Sequence, residues 1–372
     1  MSCEQNVGPF VRIDEPTISK DDLKQKLKDF YNLCLAPEYK KGYLTGINQN
    51  SESLSYALWQ SYWADDRNTF KTILSWSNRN VEHDRDNLLS WKYEVQKRSP
   101  LIFWQHPWFG NYRVRILDQN AATDADTDFA YILLRAGADW KNQDYIDQGK
   151  KMAADIWTHE TADVEGKRYV LAGNWANEPD RLVINPSYFS PQAYRTFALF
   201  DGSHDWNKLT IDTYDLLTKI SDHGENQPRV PPNWIAISKI DGTIQDYPEK
   251  SDAGDYGYDS FRTLWRVSLD QWATPSFLSW NYVSSITAFS NDWQSRQEVC
   301  ALYKHEDAGF VCDQSTTGTL AGPTGILSVT NGYAASQAVE KYYIRDGKLM
   351  FPDTDFYAKS WHWFGIWLWA HS

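Results

Sequence analysis

The sequence has no apolar run approaching the ~20 residues that a bilayer core requires, so no transmembrane helix is expected. Its four cysteines, Cys3, Cys34, Cys300 and Cys312, show no CxxC spacing and no matched histidines. That excludes the common zinc modules, and no metal is expected. Basic charge is in deficit: 37 Lys and Arg face 49 Asp and Glu, for a net charge of −12. Phosphate backbones and anionic membranes need the opposite balance, so neither nucleic acid nor a lipid surface is expected as a partner. Gly/Ser-rich and Pro-rich linkers are missing, and so is any fixed internal period. The first absence favours one domain over residues 18–372 behind an N-terminal tail, residues 1–17. The second argues against a helical-repeat solenoid. No secretory leader stands at the MSCEQ start. Two readings stay open there: a mature end anchored by lipid through Cys3, or a short cytosolic tail.

Aromatic residues, by contrast, are abundant, at 15% of the chain with 19 Trp and 22 Tyr. Many must pack the core, which 372 residues at 42% hydrophobic content can build on a large scale. The surplus suits a cleft that stacks sugar rings, since Tyr and Trp combine a flat apolar face with a polar handle. Helical spacing dominates. It is clear over 19–34, 51–64 and 66–78, and further helix starts fall near Asp126, Gln143, Pro191, Trp206, Ser260, Thr274, Gly332 and Asp355. Strand-like pieces, 113–117 and 168–173, are short and scattered. So many amphipathic faces exceed a four-helix bundle and call for paired helices. Cys300 and Cys312 flank what reads as a polar loop and are candidates for a disulfide, which would imply an oxidising compartment.

Residues 122–140, ATDADTDFAYILLRAGADW, carry the strongest local signal. Asp124, Asp126 and Asp128 crowd a helix start that turns apolar at Phe129, Ile132, Leu133, Ala136 and Trp140. Carboxylates suit a helix N-terminus, but three exceed what capping needs. A calcium loop fails, because Phe129 and Arg135 occupy the positions of its Gly and Glu. The Asp-rich metal motif of isoprenoid cyclases, DDxxD, has a different spacing.

This stretch resembles the signature of glycoside hydrolase family 8. Ala122, Thr123, Asp124, Ala125, Asp126, Ala130, Leu133, Leu134, Ala136 and Trp140 fall in register, while Phe129 and Ile132 are apolar departures. Other segments resemble the same family. Ser51, Glu52 and Tyr56 match its Ser-Glu-x-x-x-Tyr block, with Ser55 and Ala57 where Gly is usual. Tyr258, Asp259, Arg262, Trp265 and Arg266 match the block of the Asp-base subgroup, with Leu264 in place of Pro. The segment 185–197 also fits, with Tyr188 and Tyr194 as groove residues and Trp175 just upstream as a stacking platform.

The resemblance implies an all-α (α/α)6 barrel, a toroid of paired inner and outer helices with short strands in its loops. It implies an inverting hydrolase of β-1,4-linked polysaccharide, most simply an endoglucanase, acting as a monomer without cofactor. In this scheme Glu52 is the general acid, Asp259 the base, and Asp124 grips the sugar before the cleaved bond. Inversion needs room for water, so the acid and base should stand roughly 6.5–9.5 Å apart. Tyr258, Arg262, Trp175, Tyr188, Tyr194, Trp108 and Asp126 are the candidate substrate contacts. Trp104, Trp108 and Phe109 lie in a long segment, 92–116, that would extend or block one end of a groove. Xylanase, chitosanase or reducing-end exo-oligoxylanase activity is the alternative, and a polysaccharide-binding protein with little catalysis is the reading from another class. Secretion, a periplasmic site or a cell-surface location is expected.

Overall fold

The computed structural model describes residues 18–97, 112–306, 309–313, 318–350 and 355–372. Its principal helices in chain order are α1 (Lys20–Phe30), α2 (Ser51–Trp63), α3 (Arg67–Asn80), α4 (Thr123–Trp140), α5 (Gln143–His159), α6 (Pro191–Phe200), α7 (Trp206–Ile220), α8 (Phe261–Ala273), α9 (Phe277–Ser285), α10 (Ala288–Arg296), α11 (Ala321–Thr330), α12 (Gly332–Tyr343) and α13 (Phe356–His371). Short antiparallel strands join them: β1 (Lys92–Lys97) with β2 (Tyr112–Asp118), β3 (Thr161–Val164) with β4 (Lys167–Val170), the sheet β5 (Arg181–Ile184), β6 (Ile235–Ser238), β7 (Ile244–Gln245), and β8 (Leu302–Glu306) with β9 (Gly309–Asp313). The described residues group into two compact units. The first comprises 31–160 with 173–175, the second 18–30, 161–172 and 176–372.

In the first unit two kinds of helix follow from two kinds of sequence. The α2 segment, SESLSYALWQSYW, carries one charge, and its buried positions, Ser51 and Ser53 to Ser61, run all round the helix. Burial on every face requires neighbours on every face. The α3 helix buries only the stripe Phe70, Ile73, Leu74, Trp76 and Ser77. Likewise α4 is buried round most of its circumference, whereas α5 buries Gly149, Met152, Ala153 and Ile156. The unit is thus two inner–outer pairs, α2–α3 and α4–α5, with α2 packed on α4. Glycine sets the closeness of the second pair. A Cβ on Gly149 would meet Leu134 Cγ at 2.8 Å, and one on Gly137 would meet Ile146 Cγ1 at 2.7 Å.

The second unit repeats the scheme. Helices α6, α8, α11 and α13 are successive neighbours, and α7, α9, α12 and α1 pair with them in turn. The α1–α13 pair is antiparallel: Lys20 Nζ donates to the Ser372 carbonyl at 2.6 Å, and Trp363 Nε1 to that of Leu27 at 3.2 Å. Much of the aromatic surplus sits inside, since Trp206, Trp265 and Trp361 are fully buried here and Trp59 in the first unit. Most expected helix starts agree within three residues, but α10 and α11 escaped the periodicity reading. The α11 segment, AGPTGILSVT, reads as a turn. Pro323 is tolerated in its first turn, and Gly322 lies where a Cβ would meet the Phe261 carbonyl at 2.6 Å, so close packing selects residues that suggest a loop.

Cys300 and Cys312 are bonded, with Cα atoms 5.4 Å apart. The segment between them is not the polar loop its composition suggested but the β8–β9 hairpin, registered from Leu302↔Asp313 to Glu306↔Gly309. Tyr303 of this hairpin exchanges two backbone hydrogen bonds with Tyr256, each 2.9 Å. Replacing both cysteines by serine is expected to cost roughly 3 kcal/mol, the chain-entropy value for a loop of this length. Urea unfolding of the variant against the oxidised parent measures it.

Candidate active site

The candidate residues fall into one group in each unit. In the first, Glu52 occupies the opening turn of α2 and is half-buried. It does not cap the helix: Asn50 does, its side chain accepting from Ser53 N at 2.7 Å. The Tyr56 hydroxyl, one turn on, donates to Glu52 Oε1 at 2.5 Å. That contact aims the carboxyl and uses a tyrosine ring that is otherwise buried.

The starts of α2 and α4 are tied to one segment. Ser51 N donates to the Trp91 carbonyl at 2.9 Å, and Trp91 N donates to the Asn120 carbonyl at 2.8 Å. Leu89 N donates to Asp126 Oδ1 at 2.9 Å. Both helices therefore begin beside residues 89–91 and run the same way, which brings Glu52 and Asp124 to the same end of the unit. Asp124 is buried, and its Oδ1 accepts from Ala125 N at 2.8 Å. Trp175 is 40% exposed and reaches the same end. Asn174 Oδ1 accepts from Ala121 N at 3.1 Å, and Gly173 leaves room for the indole, since a Cβ there would meet Trp175 Nε1 at 2.6 Å.

Behind this surface lies a second acid that the motif did not announce. Glu160, directly after α5, is fully buried, as is Asp126. Burial, and then each other's negative charge and that of Asp124, push the Asp126 carboxyl well above the usual carboxylate range. Burial, with the charges of Asp124 and Asp86, raises Glu160 to about 8 against the lowering pull of the Thr123 and Asp126 side chains beside it.

In the second unit, strand register assembles the group around Asp259. Ile184 of β5 pairs with Ile235 of β6, so the residues after β5 and those before β6 emerge at one end of the sheet. The first lead into the turn Pro186–Tyr188, and the second are Asn233 and Trp234. Asn233 Oδ1 accepts from the backbone N–H groups of Gly257, Asp259 and Ser260 at 3.0–3.3 Å, and so shapes the loop that carries Asp259. Trp234 Nε1 donates to Asp259 Oδ2 at 2.8 Å, and Arg262 donates to Oδ1 at 2.6 Å. The Arg262 side chain is 4% exposed and that of Asp259 29%, so a buried cation aims a carboxylate that solvent still reaches. Tyr188 lies beneath the guanidinium, 5.6 Å from ring centre to Arg262, and beside Trp234 at 6.3 Å. Tyr258 is 53% exposed, its carbonyl accepting from the Tyr357 hydroxyl at 3.0 Å.

Two expected sugar contacts are buried. Asp126 has no exposed surface. Tyr194 is buried, with its hydroxyl closing its own turn onto Ser190 N at 3.0 Å and its ring stacked on Trp206. Trp104, Trp108 and Phe109 lie outside the described residues. Asn233, Trp234 and Glu160 are the additions. No local motif marks them, and only the paired strands and the helix end bring them in.

The sequence model of the family described as "Glycosyl hydrolases family 8" matches residues 44–341, which fall in both units. An "Endoglucanase" of Cellulomonas uda is 26% identical over 239 residues, covering 63% of this chain and 57% of that protein. An "Endoglucanase" of Xanthomonas axonopodis pv. citri is 30% identical over 224 residues, covering 59% and 53%. The chain thus spans about half the length of these curated relatives. Among solved structures, a beta-1,3-1,4-glucanase from Paenibacillus sp. X4 superposes with a TM-score of 0.75 at 19% identity, over 96% of this chain and 94% of that one. An endo-beta-1,4-glucanase from Acetobacter xylinum gives 0.69 at 19% identity, over 94% and 98%. At this identity the likeness establishes the fold, and with it the (α/α)6 class expected from the sequence.

Proposed function

The chain belongs to glycosyl hydrolases family 8, and from that premise we propose that it is an inverting hydrolase cutting within β-1,4-linked glucan. Glu52 gives its proton to the departing glycosidic oxygen. Asp259 takes a proton from the water that attacks the anomeric carbon from the opposite face. Asp124 hydrogen-bonds the hydroxyls of the sugar that precedes the cleaved bond. One displacement by water yields a product of inverted configuration, and it uses one protonated and one ionised carboxyl. The observation that carries this reading is the bracing of Asp259: each oxygen has a donor, Arg262 on one and Trp234 on the other, which suits an ionised, oriented base.

Reducing-end release from carboxymethylcellulose, lichenan, xylan and chitosan tests the substrate class, with the glucans expected to be cut fastest. Proton NMR of the first product formed is expected to show the α anomer. A β anomer, or no release from any of the four, ends the proposal. Trp175→Ala is expected to raise KM about tenfold with little change in kcat, the loss of one stacking face, as read from initial rates on cello-oligosaccharides. The bonded cysteines support an oxidising compartment, whether secreted, periplasmic or at the cell surface. The protein acts as a monomer in this reading, which light scattering checks.

A further inference from the structure

The carboxyls of Asp126 and Glu160 pose a bonding problem that the proposed reaction does not explain. An ionised carboxylate only accepts hydrogen bonds. Among the described residues, no donor satisfies Asp126 Oδ2 or either Glu160 oxygen, and all three atoms are buried. The surrounding charge does not help. Asp124 and Asp86 both add negative potential at Glu160. Asp86 is itself met by Arg85 at 3.2 Å and by the His83 ring at 2.7 Å. Among the described residues no cluster of His, Cys, Asp and Glu is arranged to hold a metal ion. Two bare charges cannot persist side by side in such a place, because both are sealed from solvent with no cation paired to them among the described residues.

We propose that Asp126 and Glu160 share one proton, and that this acid pair is the positioning element that holds Glu52 and Asp124 at the same end of their unit. With one carboxyl neutral, its O–H donates to the other, which satisfies Asp126 Oδ2 and one Glu160 oxygen, while Thr123 stands beside Glu160 as a donor for the second. The pair then fixes the Asp126 side chain, whose other oxygen holds Leu89 N at 2.9 Å. Leu89 in turn leads to Trp91, whose backbone ties the start of α2 to Asn120, three residues ahead of α4. Loss of the shared proton sets two negative charges against each other under both helix starts.

The sign of the pH effect follows. A carboxyl whose folded pKa is raised binds more protons folded than unfolded, so stability falls as pH rises from the ordinary Glu range to about 8, where Glu160 is placed. Glu160→Gln supplies a permanent N–H to Asp126 and removes this dependence. The assignment of Glu52 and Asp124 rests on the function proposed above, so the test has one arm that needs no activity. The infrared spectrum of the folded protein at pH 7 is expected to show a buried protonated-carboxyl band that Glu160→Gln abolishes. The melting temperature of Glu160→Gln is expected to overtake that of the parent by a few degrees as pH rises from 5 to 9. In the activity arm, the alkaline limb of kcat moves up by about one pH unit in Glu160→Gln while KM changes little. Asp126→Asn, whose amide can both accept from Leu89 and donate to Glu160, behaves the same way. Absence of the band with a constant melting difference overturns the pair, as does a stoichiometric metal found by elemental analysis. Superposable kcat profiles overturn the positioning role. A parent that cuts none of the polymers defeats the function reading instead, and the spectral and thermal arms still decide the pair.

Discussion

Glu52→Gln is expected to lower kcat on β-1,4-glucan by about 10³-fold, the usual worth of a positioned general acid. The melting temperature and the binding of cello-oligosaccharides should stay unchanged. The structural alternative for an acid in the first turn of a helix is a capping or dipole role, whose removal would lower stability and leave turnover alone. Asn50 already fills the cap of α2, so that cap does not depend on Glu52. The amide of Gln keeps the size of the carboxyl and can still accept from the Tyr56 hydroxyl, so the substitution removes the transferable proton while keeping that contact. A leaving group that needs no protonation separates the roles further. On an aryl cellobioside with a low-pKa phenol the variant should recover most of its rate. A variant that keeps near-parental turnover on polymer removes Glu52 from the acid role.

The second large effect is expected at Asp259. Asp259→Ala should also lose about 10³-fold in kcat, and azide should restore part of it. The anion occupies the place of the attacking water and needs no base, so it should yield a glycosyl azide of inverted configuration. Asp259→Asn keeps the size, but its one oxygen can accept from only one of Arg262 and Trp234 and its amide cannot take the proton, so it is expected to be as slow on water. The braces give a contrast. Trp234→Phe removes one donor from Asp259 Oδ2 at 2.8 Å while keeping an aromatic face beside Tyr188, and is expected to lower kcat about tenfold without a matching rise in KM. Rescue of Asp259→Ala to a product of retained configuration would contradict the assignment of a base.

The helical character of the chain was legible, and three carboxyls stood out as candidates, because their signals are local. The burial of α2 and α4 follows from runs of small and apolar residues with few charges, and the stripes on α3 and α5 follow from helical period. Glu52, Asp124 and Asp259 each stand in a short block whose neighbours share the same turn. Arg262 was legible for the same reason, one turn beyond Asp259. What failed had a common cause. Helix α11 looks like a turn because its Gly and Pro answer to packing against α8, not to backbone preference. The burial of Tyr194 and Asp126 is likewise a property of packing that residue type does not record.

Local order in this chain therefore came from spacing along the backbone: where helices begin, which of them lie inside, and which acids sit at their mouths. The partners of those acids came from elsewhere. Asn233 and Trp234 reach Asp259 across more than twenty residues because β5 and β6 pair in one register. Glu160 reads as an exposed residue after a helix, at the end where the dipole disfavours it, and yet folding seals it against Asp126. Hydrogen-bond partners and loss of water are properties of the packed chain, set by contacts between segments that no periodicity records.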